Sequence, residues 1–280
     1  MHRRSLYRRA RTPLALMATV TVAAGILAAS VGPASAGKTS APQHRKPTVV
    51  LVHGAFADST SWNGVVKKLK REGYPVVAAA NPLRGLSSDA NYLRDLLADI
   101  DGPVVLAGHS YGGSVISNAA YGADNVKALV YIAAFLPEKG ESAVELSGKF
   151  PGSTLGDTLR PVPVTLPDGT KGTDLYIEQA KFHDQFAADV PKGTTDLMAV
   201  AQRPVTSAAL EEGALEPAWK TIPSWVLVAT EDLNIPPQAQ TFMAERAKAR
   251  VVKVRASHAV SVSRPDDVAD IIEKAAWTVR

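Results

Sequence analysis

An alternation of two periodicities constrains this chain more than any other feature. Six short runs rich in β-branched and apolar residues recur along it: Thr48 to His53, Tyr74 to Ala79, Pro103 to Gly108, Val126 to Ala134, Ser224 to Thr230 and Arg250 to Arg255. Several are almost continuously apolar, as expected of parallel strands covered on both faces. Helical patterns lie between them. Trp62 to Glu72 carries Trp62, Val65, Val66 and Leu69 on one face, and Ser87 to Ile100 carries Leu93, Leu96, Leu97 and Ile100. Ser110 to Tyr121 is small and apolar, suited to a buried helix, and Pro236 to Lys248 and Pro265 to Thr278 follow the last two strands. Ser263 is placed to cap the final helix, with Asp266 at its positive end. Strand–helix alternation predicts an α/β fold with a doubly wound, mostly parallel sheet. The alternation fails between Pro137 and Ile222, which is rich in Pro and Gly. There the turn Pro167-Asp168-Gly169-Thr170 separates short extended stretches, and Phe182, Phe186 and Val190 mark an amphipathic piece. This segment is expected to lie over the end of the sheet as an insertion.

Composition removes several function classes. The 280 residues carry 31 Lys and Arg against 27 Asp and Glu, but residues 1–36 hold five of the arginines and no acid. Without them the balance is slightly acidic, so a phosphate-tracking nucleic-acid binder is not expected. Cysteine is absent, which excludes disulfides, thiolate metal sites and a cysteine nucleophile. The basic start, the uncharged stretch from Thr12 to Gly37 and the small-x-small triplet Ala34-Ser35-Ala36 read as a signal peptide cleaved after Ala36. Arg3-Arg4-Ser5-Leu6-Tyr7-Arg8 loosely resembles a twin-arginine export signal. Residues 37–47 read as a flexible lead-in, and residues 48–280 as one domain of an exported protein.

The sharpest motif is Gly108-His109-Ser110-Tyr111-Gly112, directly after one strand and opening the next helix. That junction can lift a serine hydroxyl clear of the sheet on a strained turn, with small neighbours that avoid clashes. A serine hydroxyl is a poor nucleophile near neutral pH and needs a base. Of the histidines past residue 36, only His258 lies between the last strand and the last helix. His109 is expected to point away from the hydroxyl, His53 to brace its own loop, and His183 to serve the insertion. A carboxylate must orient the base, and Asp232 follows the strand Ser224 to Thr230, with Glu231 as its competitor. An oxyanion needs two donors. The backbone N–H of Tyr111 is one; the other comes from His53-Gly54-Ala55-Phe56, at Ala55 or, second, at Phe56.

Val50 to Phe56, Gly108 to Gly113, Ala229 to Pro237 and Ala256 to Val260 together resemble the α/β-hydrolase superfamily. They are most similar to its small-esterase branch, which includes plant salicylate methylesterases and hydroxynitrile lyases. The resemblance implies a helical cap over the active site and no cofactor or metal. It implies Ser110, Asp232 and His258 as a catalytic triad, with Ala55 and Tyr111 as oxyanion donors. The implied partner is a small-molecule ester, with no nucleic acid and no stable membrane association after leader cleavage. Phe56, Phe182 and Phe186 are candidates for substrate binding, and Phe150, Tyr176 and Met198 are further candidates to shape the pocket. Lyase, perhydrolase and non-catalytic receptor activities use the same scaffold. Lyases of the nearest type carry a lysine directly after the histidine, where this chain has Ala259.

Overall fold

A computed structural model describes residues 46–166 and 168–279. The leader, most of the lead-in, His44 and Pro167 lie outside the described residues. The chain runs β1 (Thr48–Val52), α1 (Asn63–Arg71), β2 (Val76–Ala79), α2 (Leu86–Ala98), β3 (Val104–His109), α3 (Tyr111–Ala119) and β4 (Val126–Ile132). The insertion then supplies α4 (Ala143–Gly148), β5 (Leu159–Thr165), β6 (Lys171–Ile177), α5 (Gln179–Phe186), α6 (Lys192–Ala201), β7 (Val205–Thr206) and α7 (Ser207–Glu211). The chain returns to the sheet with β8 (Ser224–Ala229), α8 (Pro237–Arg246), β9 (Arg250–Val254), α9 (Val260–Ser263) and α10 (Pro265–Trp277).

The main sheet has six strands in the order β2-β1-β3-β4-β8-β9, and every pairing within it is parallel. Side chains alternate across it with the period of two that a pleated strand imposes. Val49, Leu51, Val105, Ala107 and Leu227 face one core, shared with α1 and α10. Val50, Val52, Leu106, Leu129 and Val226 face the other, shared with α2, α3 and α8. Burial on both faces explains why the central strands β1, β3, β4 and β8 read as almost unbroken apolar runs, while the edge strand β9 carries the exposed Arg250 and Lys253.

Two local expectations are corrected. Ser263 does not cap the last helix: the N-cap is Arg264, with no side-chain cap bond, and the Ser263 hydroxyl is buried without a partner. The short helix α9 runs to Ser263 and leaves a single residue before Pro265, so Ser263 sits one position too early to cap. Asp266 does lie in the first turn of α10, as expected, and its carboxylate also pairs with Lys68 on α1 at 2.9 Å. The insertion, second, is not helical throughout. β5, β6 and β7 form a three-stranded antiparallel sheet. Its first turn is closed by Asp168, whose carboxylate accepts from the Thr170 N–H at 2.9 Å, with Gly169 at φ 83°.

Candidate active site

Ser110, Asp232, His258 and Ala55 come from four separate loops, each following the C-terminal end of a parallel strand, β3, β8, β9 and β1 respectively. Sites of open α/β sheets gather at that edge. Ser110 holds φ 54° and ψ −126°, a conformation that non-glycine residues rarely adopt. It occupies the N-cap position of α3, yet its side chain makes no cap bond. The hydroxyl lies 2.8 Å from His258 Nε2. Such a turn tolerates nothing bulky beside it. A Cβ on Gly54 would stand 2.6 Å from Ser110 Cβ, and one on Gly112 would stand 2.5 Å from the Val52 carbonyl oxygen.

The His258 ring completes a chain of hydrogen bonds. Its Nδ1 lies 2.7 Å from Asp232 Oδ2. A carboxylate only accepts, so Nδ1 carries the proton and Nε2 accepts from the Ser110 hydroxyl. Both His258 and Asp232 are buried. Asp232 Oδ1 accepts the backbone N–H groups of Asn234 and Ile235 at 2.7 and 3.0 Å, and Oδ2 also accepts from Gln240 Nε2 at 2.8 Å. Glu231 leaves the strand in another direction and pairs with Arg255 at 2.6 Å on the exposed side. Gln240 had no signal in the sequence beyond its place in the helix after the acid. Its amide also accepts from the Ala229 N–H and donates to the Ile235 carbonyl, which fixes the loop carrying Asp232 to the end of β8.

His109 points away from the hydroxyl and supports the His258 loop from behind. Its Nε2 donates to the His258 carbonyl at 2.8 Å, and the two rings lie 4.7 Å apart. Burial, followed by the neighbouring His258, pushes its pKa down from 6.5 to about 3. It therefore stays neutral and does not oppose a positive charge on His258. His53 accepts the Asn81 N–H at 3.0 Å on Nε2 and donates from Nδ1 to the Gly54 carbonyl at 2.9 Å, fixing the loop after β1. Burial lowers its pKa as well. His183 joins α5 to Thr195 of α6 at 3.0 Å.

The geometry separates the two backbone donors left open after β1. The Phe56 N–H is engaged by the Arg203 carbonyl at 3.0 Å. Ala55 lines the cavity with Ser110 and Tyr111, and its N–H has no partner among the described residues. Tyr111 opens α3, where an N–H lacks an intrahelical acceptor. Its ring is held by Asp89, whose Oδ2 accepts the phenol proton at 2.9 Å.

Ser110 opens onto a cavity of about 250 Å³ between the sheet edge and the insertion. Its walls are mainly apolar, with Phe56, Phe135, Leu155, Leu175, Leu210 and Ile235 among them. Phe182 and Phe186, expected against substrate, do not line it. Phe186 packs its edge on the His258 ring at 5.0 Å, and Phe182 packs on Phe186 at 5.0 Å, so both are taken up in covering that ring. Phe150 packs on Phe242 outside this cavity, and Tyr176 lies beside Arg160. The leucines that do line it come from the turn before β5, from the start of β5, from β6 and from α7, and carried no periodicity pointing to a pocket.

A profile of the alpha/beta hydrolase family matches residues 49–271. The chain belongs to that family. An alpha/beta hydrolase of Aspergillus novofumigatus, nvfD, is 27% identical over 82% of this chain and 97% of its own length. A pyrethroid hydrolase of Sphingobium wenxiniae is also 27% identical, over 80% of this chain and 85% of its own. Among solved structures, polyneuridine aldehyde esterase superposes with a TM-score of 0.71 at 18% identity, covering 82% of this chain and 99% of that one. This alpha/beta hydrolase is an enzyme of the hydrolase class with an esterase-like scaffold.

Proposed function

We propose that the chain is a serine esterase that cleaves small, neutral carboxylic esters through an acyl-enzyme. The observation that carries this reading is the unbroken chain from Asp232 through His258 to the Ser110 hydroxyl, at 2.7 and 2.8 Å, opening onto an apolar cavity. Ser110 Oγ attacks the ester carbonyl while His258 Nε2 takes its proton. Asp232 holds the imidazole tautomer and stabilises the imidazolium. The N–H groups of Ala55 and Tyr111 receive the oxyanion. His258 returns the proton to the departing alcohol, and water then releases the acid by the same route. Neutral substrates suit the wall, where Glu211 is the one carboxylate among the described lining residues.

Ser110→Ala is expected to lower turnover of a fluorogenic short-chain ester by roughly 10³–10⁶-fold and to abolish labelling by an organophosphate. Retention of more than about a tenth of the activity would assign the nucleophile elsewhere. Export belongs to the same proposal. Ala34-Ser35-Ala36 after an uncharged stretch supports processing to a protein beginning at Gly37. N-terminal sequencing of secreted protein is expected to read Gly-Lys-Thr, and a chain still beginning at Met1 would argue for a retained anchor.

A further inference from the structure

A second groove of about 180 Å³ lies on the far side of Phe56. It is formed by the turn after β1, by Thr194, Met198 and Ala201 of α6, and by Val262 of α9. Among the described residues, Phe56 is the one that lines both this groove and the Ser110 cavity. Its placement is unusually determined for a loop side chain. The backbone sits at φ 60°, a left-handed conformation that a bulky residue adopts only when its surroundings impose it. The imposing contacts are the N–H bond to Arg203 of the insertion and an edge-on packing against Phe186 at 6.3 Å. The adjacent Ala55 is the oxyanion donor of the proposed mechanism, so the ring stands at a fixed offset from the reacting carbon.

Size gives this partition a consequence. The inner cavity falls short of the ~300–1,000 Å³ usual for small-molecule sites, and the two spaces joined come within that range. The groove wall next to Phe56 is apolar, with Ala57, Met198 and Val262, and its polar members are mostly satisfied internally. Gln202 is bonded to both backbone groups of Ile177, and Asp58 accepts the Thr60 N–H and hydroxyl.

We propose that Phe56 is the specificity-determining partition of this enzyme: its ring separates the reacting cavity from an apolar subsite and so excludes esters with a long alkyl arm. This inference rests on the esterase reading. It predicts that Phe56→Ala joins the two spaces and raises kcat/KM for p-nitrophenyl decanoate or decyl acetate, relative to p-nitrophenyl acetate, by about 10-fold or more. Met198→Trp, which refills the outer groove, should cancel that gain when combined with Phe56→Ala. Phe56→Leu, which keeps a branched side chain in place, should give an intermediate ratio and covers the case in which the alanine variant folds poorly. Organophosphate labelling of every variant reports an intact site. A long-to-short ratio unchanged within about twofold in both Phe56 variants, or a gain that Met198→Trp leaves untouched, would overturn the partition. Failure of the esterase reading would look different, as absence of turnover of any ester by the wild type. In that case, calorimetric binding of the same esters must still show the size step at Phe56.

Discussion

Asp232 accepts four hydrogen bonds, from two backbone N–H groups, the Gln240 amide and His258 Nδ1. These bonds satisfy both oxygens of a buried carboxylate and aim one of them at the imidazole. Replacement by asparagine puts an amide where an acceptor is needed. If its NH₂ faces Nδ1, the ring proton is forced to Nε2, the atom that must accept from Ser110. Asp232→Asn is therefore expected to lower kcat by about 10⁴-fold at neutral pH. Glu231 is turned outward to Arg255, with 47% of its side chain exposed, and Glu231→Gln should cost less than about tenfold. Steady-state kinetics on both variants with one ester decides the matter: a crippled Glu231→Gln and an active Asp232→Asn would move the orienting role by one residue.

At the scale of an element, the short helix α4 forms part of the wall of the Ser110 cavity. It is six residues long, too short to persist through propensity, and a capping box holds its first turn. The Ser142 hydroxyl accepts the Glu145 N–H at 3.2 Å, and the Glu145 carboxylate accepts the Ser142 N–H at 2.8 Å. Ala143, Val144, Ser147 and Gly148 of this helix line the Ser110 cavity. Ser142→Ala should cost about 1 kcal/mol of stability. The apparent melting temperature should fall by about 2–4 °C. Under the proposed esterase mechanism this wall holds substrate and transition state alike, so KM should rise while kcat holds. A fall in kcat at unchanged KM would mean that α4 affects the reacting groups. The insertion as a whole is pinned at several separate points. Gln185 donates to Leu233 and Asn234 beside Asp232, the Phe186 carbonyl accepts the Ala259 N–H beside His258, and Arg84 pairs with Asp174 at 2.6 Å.

For the whole molecule, the buried histidines tie stability to pH. Folding holds His109 neutral down to about 3, whereas the unfolded chain protonates it near 6.5. The unfolded state therefore binds more protons throughout that window, and stability falls as pH falls through it. His109 alone should contribute a slope of about 1.4 kcal/mol per pH unit. His53, also shifted downward by burial, adds to the loss with the same sign. Urea unfolding at a series of pH values is expected to show a shallower decline for His109→Leu than for wild type. The substitution removes the bond to the His258 carbonyl and lowers stability at every pH, so the slope is the informative quantity. An unchanged slope would mean that His109 takes up its proton in the folded state as readily as in the unfolded one.

The chain by itself determined whatever depends on neighbours along the sequence. Six apolar β-branched runs give six parallel strands: the four central ones are near-continuously hydrophobic because both their faces are covered, the edge strands β2 and β9 are partly exposed, and the order of runs and helices sets a doubly wound sheet. Ser110 and His258 were legible because each sits at a fixed offset from the end of a strand, and a parallel sheet brings those ends to one edge. Other choices depended on direction, which a sequence does not carry. Whether Glu231 or Asp232 faces the imidazole, whether the Phe56 N–H is free or bonded to Arg203, and whether Phe182 and Phe186 line the cavity or pack beside the His258 ring depend on packing between segments distant in the chain. Gln240 could not be read at all, since a glutamine in an amphipathic helix looks the same in solvent as against a buried carboxylate. The insertion was hardest to read. Its elements are short and are held by contacts to the loops beneath them, so local periodicity carries little of their free energy; tertiary packing supplies the rest.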